Sequence, residues 1–161
     1  MKISTKGLEF IAEFEGCYLN SYKDQAGIWT IGIGTIKYPN GKKVSRGDTC
    51  SIEEAERWLE FELGEKSAYF NKVLMELNLK LSQCEFDALL SFFYNVGIGK
   101  CYEGTTMGDA IYARSKYFIS DAFLVYNKYT WLGIKRVSKG LDRRRKAEKA
   151  LFEDKYEKVG S

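Results

Sequence analysis

The sequence predicts an α+β fold, with a small antiparallel sheet near the front and helices behind it. Three observations lead there. Apolar residues recur at helical spacing through most of the chain. One stretch, residues 17–47, instead alternates and carries turn signals. Pro39 is the only proline in 161 residues, which suits long helices, because an interior proline removes a backbone donor and clashes with the preceding turn. Hydrophobic residues make up 45% of the chain, enough for an ordinary core. With no low-complexity run, linker or internal repeat, one domain of two lobes is expected over residues 1–161.

Residues 4–15 read as a helix. Ser4 or Thr5 serves as N-cap, Leu8, Ile11, Ala12 and Phe14 keep helical spacing, and Gly16 is the stop. Glu15 then falls in the last turn. Trp29 to Thr35 alternates β-branched or aromatic residues with small ones, Tyr38-Pro39-Asn40-Gly41 signals a turn, and Lys42 to Ser45 is expected to return as a strand. Asp24, with Gln25-Ala26-Gly27 after it, falls in the turn before Trp29.

Helix dominates from there. Thr49 or Ser51 caps a long helix with Glu53, Glu54 and Glu56 in its first turns, where the helix dipole favours acids. Ser82 opens a second, Gln83 to Val96, apolar on most sides and ended by Gly97, which reads as the central core helix. Weaker helical segments follow near 105–113 and 117–129. The last helix, Leu141 to Tyr156, carries Arg143-Arg144-Arg145. In this reading the β-lobe covers about 16–50. The helical lobe covers 51–161 and takes in the N-terminal helix.

Composition removes several chemistries. The chain has no histidine, which excludes Ser–His–Asp triads, Cys–His pairs and most zinc sites. The cysteines, Cys17, Cys50, Cys84 and Cys101, form no CxxC unit, and free buried thiols are the favoured state. Neither metal nor cofactor is called for. Charge is uneven: residues 1–80 hold 11 Lys+Arg against 12 Asp+Glu, residues 81–161 hold 14 against 10. A basic half suits an anionic polymer as partner, nucleic acid or cell wall alike. The run Arg143 to Lys146 is assigned to a solvated helix face with at least one structural ion pair, not to nucleic acid. The N-terminus has no apolar signal core, and no stretch is long enough to span a membrane.

Chemistry therefore rests on carboxylates. Glycoside hydrolysis needs one protonated carboxyl and one ionised. Glu15, beside Phe14 at a helix end, suits the first role. Asp24 in a polar turn suits the second, and Thr30 can hold a water between them. Spacing alone is weak support, since a helix-end Glu and a turn Asp are ordinary surface residues.

The surrounding motifs are more specific. The run Glu15-Gly16-Cys17-Tyr18-Leu19-Asn20-Ser21-Tyr22-Lys23-Asp24, followed by Gly27-Ile28-Trp29-Thr30-Ile31-Gly32-Ile33-Gly34-Thr35, resembles the catalytic region of bacteriophage lysozymes, the endolysins of glycoside hydrolase family 24. Lys37 to Gly41 and Val44 to Cys50 resemble that family's hairpin and the approach to its long helix. Leu81-Ser82-Gln83, Phe86 to Leu89 and Phe93 to Gly97 resemble its core-helix signature. Val137 to Leu141, Arg144-Arg145 and Glu148 resemble its C-terminal signature. The likeness covers roughly residues 5 to 152. It departs at Thr35, where many members have His, and at Gly104 to Met107.

The resemblance implies a lysozyme-like fold, a small β-lobe joined by a long helix to a larger helical lobe, with a groove between the lobes. It implies a muramidase cleaving the β-1,4 bond between N-acetylmuramic acid and N-acetylglucosamine in peptidoglycan. Glu15 would protonate the leaving oxygen while Asp24 and Thr30 place a water on the opposite face, with inversion. Inverting pairs stand roughly 6.5–9.5 Å apart. Ile36, Tyr94 and Thr105 are the expected sugar contacts. The partners implied are glycan strands and a holin-like release pore, with the protein a monomer, made in the host cytoplasm and acting on the wall after release. Two rivals are a lytic transglycosylase, which needs no water-placing carboxylate, and a lysozyme-like binding domain without catalysis.

Overall fold

The computed structural model describes residues 1–24 and 26–156, and the chain divides into two units, Thr5–Glu65 and Met1–Ser4 with Lys66–Ser161. Gln25, part of the expected turn after Asp24, lies outside the described residues.

The first unit opens with helix α1 (Thr5–Glu15), which buries Phe10 and Ile11. It stops at Gly16, whose φ of 71° is left-handed and whose N–H still reaches the Ala12 carbonyl at 2.9 Å. Strands β1 (Tyr18–Lys23) and β2 (Trp29–Gly32) pair antiparallel, with Tyr22 opposite Thr30, Lys23 opposite Trp29 and an irregularity between Tyr18 and Tyr22. The chain then folds tightly, Ile31 and Thr35 exchanging backbone bonds at 2.9 and 3.0 Å around Gly32. Only glycine serves at that bend: its φ is 62°, and a Cβ there would meet the Ala55 Cβ at 2.8 Å.

The turn at Tyr38–Gly41 forms as expected, Gly41 N–H donating to the Tyr38 carbonyl at 2.9 Å. The returning strand at 42–45 does not. It is reduced to a single Lys37–Lys43 bridge, flanked by the bonds from Tyr38 N–H to the Lys42 carbonyl and from Val44 N–H to the Ile36 carbonyl. The Ser45 N–H is taken by the Asp48 carboxylate at 2.8 Å, which bends the chain into a turn before a ladder can extend.

Helix α2 (Ile52–Glu76) contains the boundary between the units. Of the two expected caps, Ser51 does the work. Its hydroxyl accepts the Glu54 N–H at 3.1 Å and the Glu54 carboxylate accepts the Ser51 N–H at 2.9 Å.

In the second unit Ser82 caps α3 (Gln83–Val96) through the same reciprocal arrangement with Glu85, and Gly97 ends it. Residues 85–93 of α3 are all buried, so it is the core helix that its composition announced. Phe70, Phe86, Phe92, Phe93 and Phe123 form a linked set of ring contacts around it. A 3-10 turn (Ile98–Cys101), α4 (Thr106–Tyr112) and α5 (Lys116–Ala122) follow.

The helix expected over 117–129 is overturned in its second half. After Ala122 the chain tightens into a 3-10 turn (Phe123–Tyr126), and β3 (Lys128–Trp131) pairs with β4 (Ile134–Val137) as a hairpin. Its two turn residues, Leu132 and Gly133, have φ of 48° and 77°. Leucine is an unfavourable residue for a left-handed turn position, so the sequence carries only half of the usual signal.

The last helix, α6, spans Lys139–Phe152 rather than 141–156, with Ser138 accepting the Leu141 N–H. It ends where Asp154 turns left-handed, at φ 56°. Within its basic run, Arg143 and Lys146 are exposed while Arg144 and Arg145 are buried. Both buried arginines pair with the fully buried Glu148, at 3.1 and 2.8 Å, and Arg145 also lies over the Phe92 ring. The expected structural ion pair is therefore a triad within the core. Among the described residues no helix is long and apolar enough to cross a membrane.

Candidate active site

The three expected catalytic residues all fall in the Thr5–Glu65 unit. Glu15 is the final residue of α1 and is half-buried. Its helix ends there because Gly16 adopts the left-handed conformation, which sends the chain into β1.

Asp24 sits at the bend between β1 and β2. Its backbone N–H donates to the Ile28 carbonyl and its carbonyl accepts the Gly27 N–H, both at 2.9 Å. Its side chain closes the same loop: Oδ1 accepts the N–H of Ala26 at 2.9 Å and of Ile28 at 2.8 Å. Two bonds to one oxygen fix the carboxylate plane, the usual way an aspartate organises a turn.

Thr30 lies on β2 and is 4% exposed. Its hydroxyl donates to the Ile28 carbonyl at 3.1 Å. With that hydrogen committed, Oγ1 offers acceptor lone pairs. Ile28 thus links the two residues, its N–H bound to Asp24 and its carbonyl to Thr30.

One residue that sequence reasoning did not single out lies beside the set. Tyr22 is opposite Thr30 in the ladder, which places both side chains on one face of the hairpin. The Tyr18 and Tyr22 rings touch, with centroids 4.6 Å apart. The phenol of Tyr22 is pushed above its ordinary range by burial, then by the charges of Tyr18, Glu15 and Asp24 in turn. The signal was available: a turn at Asp24–Gly27 sets the pairing that aligns Tyr22 with Thr30. On the edge next to them, Lys23 Nζ stands 5.5 Å from the centre of the Trp29 ring.

The hairpin beyond is braced by a second acid. Asp48 accepts the Tyr38 hydroxyl and the Ser45 N–H, both at 2.8 Å. These bonds and Lys42 hold its carboxyl below the usual range, while burial and the same bond push the Tyr38 phenol up to about 12.

The three expected sugar contacts divide between the units. Ile36 is exposed on the first. Tyr94 and Thr105 belong to the second. The Tyr94 ring has Lys66 Nζ 5.6 Å from its centre. The Thr105 hydroxyl caps α4, accepting the Gly108 N–H at 3.0 Å and sharing its hydrogen between the Lys100 and Tyr102 carbonyls.

Known proteins share this sequence pattern and fold. The phage lysozyme family model matches residues 12–148. The endolysin of Acyrthosiphon pisum secondary endosymbiont phage 1 is 31% identical over 153 residues, covering 95% of this chain and 99% of that one. The endolysin of Salmonella phage P22 is 29% identical over 155 residues, covering 94% and 98%. Among solved structures, the endolysin from Escherichia coli O157:H7 phage FAHEc1 superposes with a TM-score of 0.87 at 38% identity, covering 98% of each chain. The muramidase domain of SpmX from Asticaccaulis excentricus gives 0.80 at 28% identity, covering 94% and 97%. With a family model spanning most of its length and relatives matched almost end to end, the chain belongs to the phage lysozyme family.

Proposed function

We propose that this peptidoglycan-hydrolysing endolysin is a muramidase, cutting the β-1,4 bond between N-acetylmuramic acid and N-acetylglucosamine with Glu15 as general acid. Asp24 accepts a proton from the attacking water as that water donates its other hydrogen to Thr30 Oγ1. Attack on the face opposite the leaving group inverts the anomeric centre. The observation that supports this reading is the link between Asp24 and Thr30 through Ile28, whose N–H donates to the Asp24 carboxylate at 2.8 Å and whose carbonyl accepts the Thr30 hydroxyl at 3.1 Å.

Ile36, Tyr94 and Thr105 are the proposed sugar contacts. Thr105 would act mainly through its methyl group, because its hydroxyl is engaged by the backbone. Action on the wall after cytoplasmic synthesis, release through a holin-like pore and a monomeric state complete the proposal.

Clearing of purified peptidoglycan by the parent and by Glu15→Gln tests it, with mass spectrometry of the fragments. The parent should give reducing-end products that have gained one water, and the variant should lose about 10²–10⁴-fold in rate. Anhydro products, or equal rates for the two proteins, would overturn the assignment. NMR of the first-formed anomer decides between inversion and retention.

A further inference from the structure

One face of the β3–β4 hairpin borders a hollow in the second unit. Pairing sets Lys128 opposite Val137 and Thr130 opposite Lys135, so these side chains share a face, while Tyr129, Ile134 and Arg136 take the other. Lys128, Thr130 and Lys135 all line the hollow, whose volume is about 730 Å³. The segment from Lys100 to Thr106 supplies more of its lining, and the Thr105 hydroxyl holds that segment folded by donating to the Lys100 carbonyl at 2.9 Å.

The charge here is of one sign. Three lysines, Lys100, Lys128 and Lys135, line the hollow, and no carboxylate does. Residues 122–141 contain no acid at all. The acids on either side are engaged elsewhere. Asp109 accepts the Gly104 N–H at 2.8 Å, and Asp142 accepts the Asn127 amide at 3.0 Å and pairs with Lys146 at 2.7 Å. Like charges grouped without a counter-charge oppose folding, and a concave wall concentrates their field. Such a grouping does nothing for the fold and suits an anionic ligand.

Asn95 adds a fixed donor. Its Oδ1 accepts an Arg145 N–H at 3.1 Å, and Arg145 is itself held by Glu148 at 2.8 Å. With Oδ1 committed, the amide hydrogens are what Asn95 offers the hollow that it lines. Thr106 and Thr130, both exposed, add hydroxyls.

We propose that this hollow is a subsite for the carboxylates of the peptide stems that peptidoglycan carries on its muramic acid residues. The proposal rests on the reading of Thr105 as a sugar contact. Thr105 also lines the hollow, so a glycan strand held there brings its stems to the lysines. That continuity favours stems over a separate phosphate polymer. Lysine suits a flexible stem, because an ammonium on a mobile chain demands no single carboxylate orientation.

The test is binding, followed by NMR on folded, full-length Glu15→Gln protein. The probes are a disaccharide tripeptide with free carboxylates and the same compound with those carboxylates amidated. The free acid should bind about 3- to 10-fold more tightly, since each exposed ion pair contributes little singly. It should shift the amides of Asn95 and Thr130, and its advantage should shrink in high salt. Lys128→Gln combined with Lys135→Gln should remove the advantage. Lys139→Gln combined with Lys146→Gln, an equal change of charge outside the hollow, should keep it. Equal affinity for the two compounds, an advantage that survives loss of Lys128 and Lys135, or shifts confined to other residues would overturn the subsite. A glycerol phosphate oligomer that binds the hollow more tightly than the free acid would overturn the assignment to stems. None of these readouts involves bond cleavage, so failure of the subsite and failure of the muramidase reading are told apart.

Discussion

Tyr22 and Thr30 are cross-strand partners in the β1–β2 hairpin, and the charges of Glu15 and Asp24 both act to raise the Tyr22 phenol. The Tyr22 phenol is raised, so it remains a neutral O–H donor throughout the acid and neutral range. Tyr22→Phe keeps the ring contact with Tyr18 and removes only that donor. If that donor bonds a carboxylate in the substrate complex, an interaction worth about 1.5–3 kcal/mol, kcat should fall roughly 10- to 100-fold with little change in KM. Initial rates on peptidoglycan, with circular dichroism to confirm folding, check this. An unchanged kcat would make Tyr22 a packing residue only.

Asp24→Asn separates the carboxylate's charge from its place in the loop. Asparagine Oδ1 still accepts the Ala26 and Ile28 N–H groups, so the turn should persist. If Asp24 takes a proton from water, the variant should lose at least about 10²-fold in kcat while melting close to the parent. Asp24→Ala should lose activity and also melt lower, because both N–H groups lose their partner. Rates and melts on the pair distinguish the two effects.

The Asp48–Tyr38 bond gives the first unit a pH signature. The Asp48 carboxyl is held below its unfolded value, so its contribution to stability is present at neutral pH. That contribution begins to fade as pH falls past the unfolded value of about 3.9, and it is gone below the folded one. Tyr38 runs the other way. Its folded value of about 12 exceeds the unfolded one of about 10, so its share is full below pH ~10 and is lost as pH rises through 12. Asp48→Asn should flatten the acid limb of a plot of stability against pH, followed by Trp fluorescence. It should also bring the Tyr38 absorbance transition to lower pH.

Glu148 carries more energetic weight than any exposed acid. Its carboxylate is fully buried between Arg144 and Arg145 and accepts the Ser91 hydroxyl at 2.8 Å. Burial pushes its carboxyl up while the arginines oppose that shift. Glu148→Ala leaves two guanidinium groups in the core without their shared partner, a loss of about 3–5 kcal/mol. Urea unfolding should show the midpoint falling sharply, or no folded protein at all. Glu148→Gln, which keeps the shape, should lose less.

Gly32→Ala tests the tight bend after β2. The added methyl would meet the Ala55 Cβ at 2.8 Å on a backbone with φ of 62°. Overpacking with a left-handed non-glycine costs about 1–3 kcal/mol. The expected result is a lower melting temperature, while Gly27→Ala, where a Cβ meets nothing within 4 Å, should cost only its backbone strain.

The sequence by itself determined the elements whose signals are local. Ser82, Glu85 and Gly97 mark both ends of α3 because capping and left-handed termination act within a few residues. The α1 end at Gly16 and the turn at Tyr38–Gly41 are of the same kind, as is the order of Glu15, Asp24 and Thr30 along the chain. Tertiary structure decided what depended on distant partners. Whether residues 42–45 continued a ladder was settled by the Asp48 carboxylate taking the Ser45 N–H. Residues 128–137 became a hairpin because pairing between β3 and β4 outweighed a helical pattern that carried through to residue 129. Arg144 and Arg145 look like surface charges in a basic run, and only the burial of Glu148 on the same helix explains their place in the core. Tyr22 is one of 11 tyrosines in the sequence. Strand register set it across from Thr30, because hydrogen-bonded pairing, unlike spacing, specifies which side chains share a face.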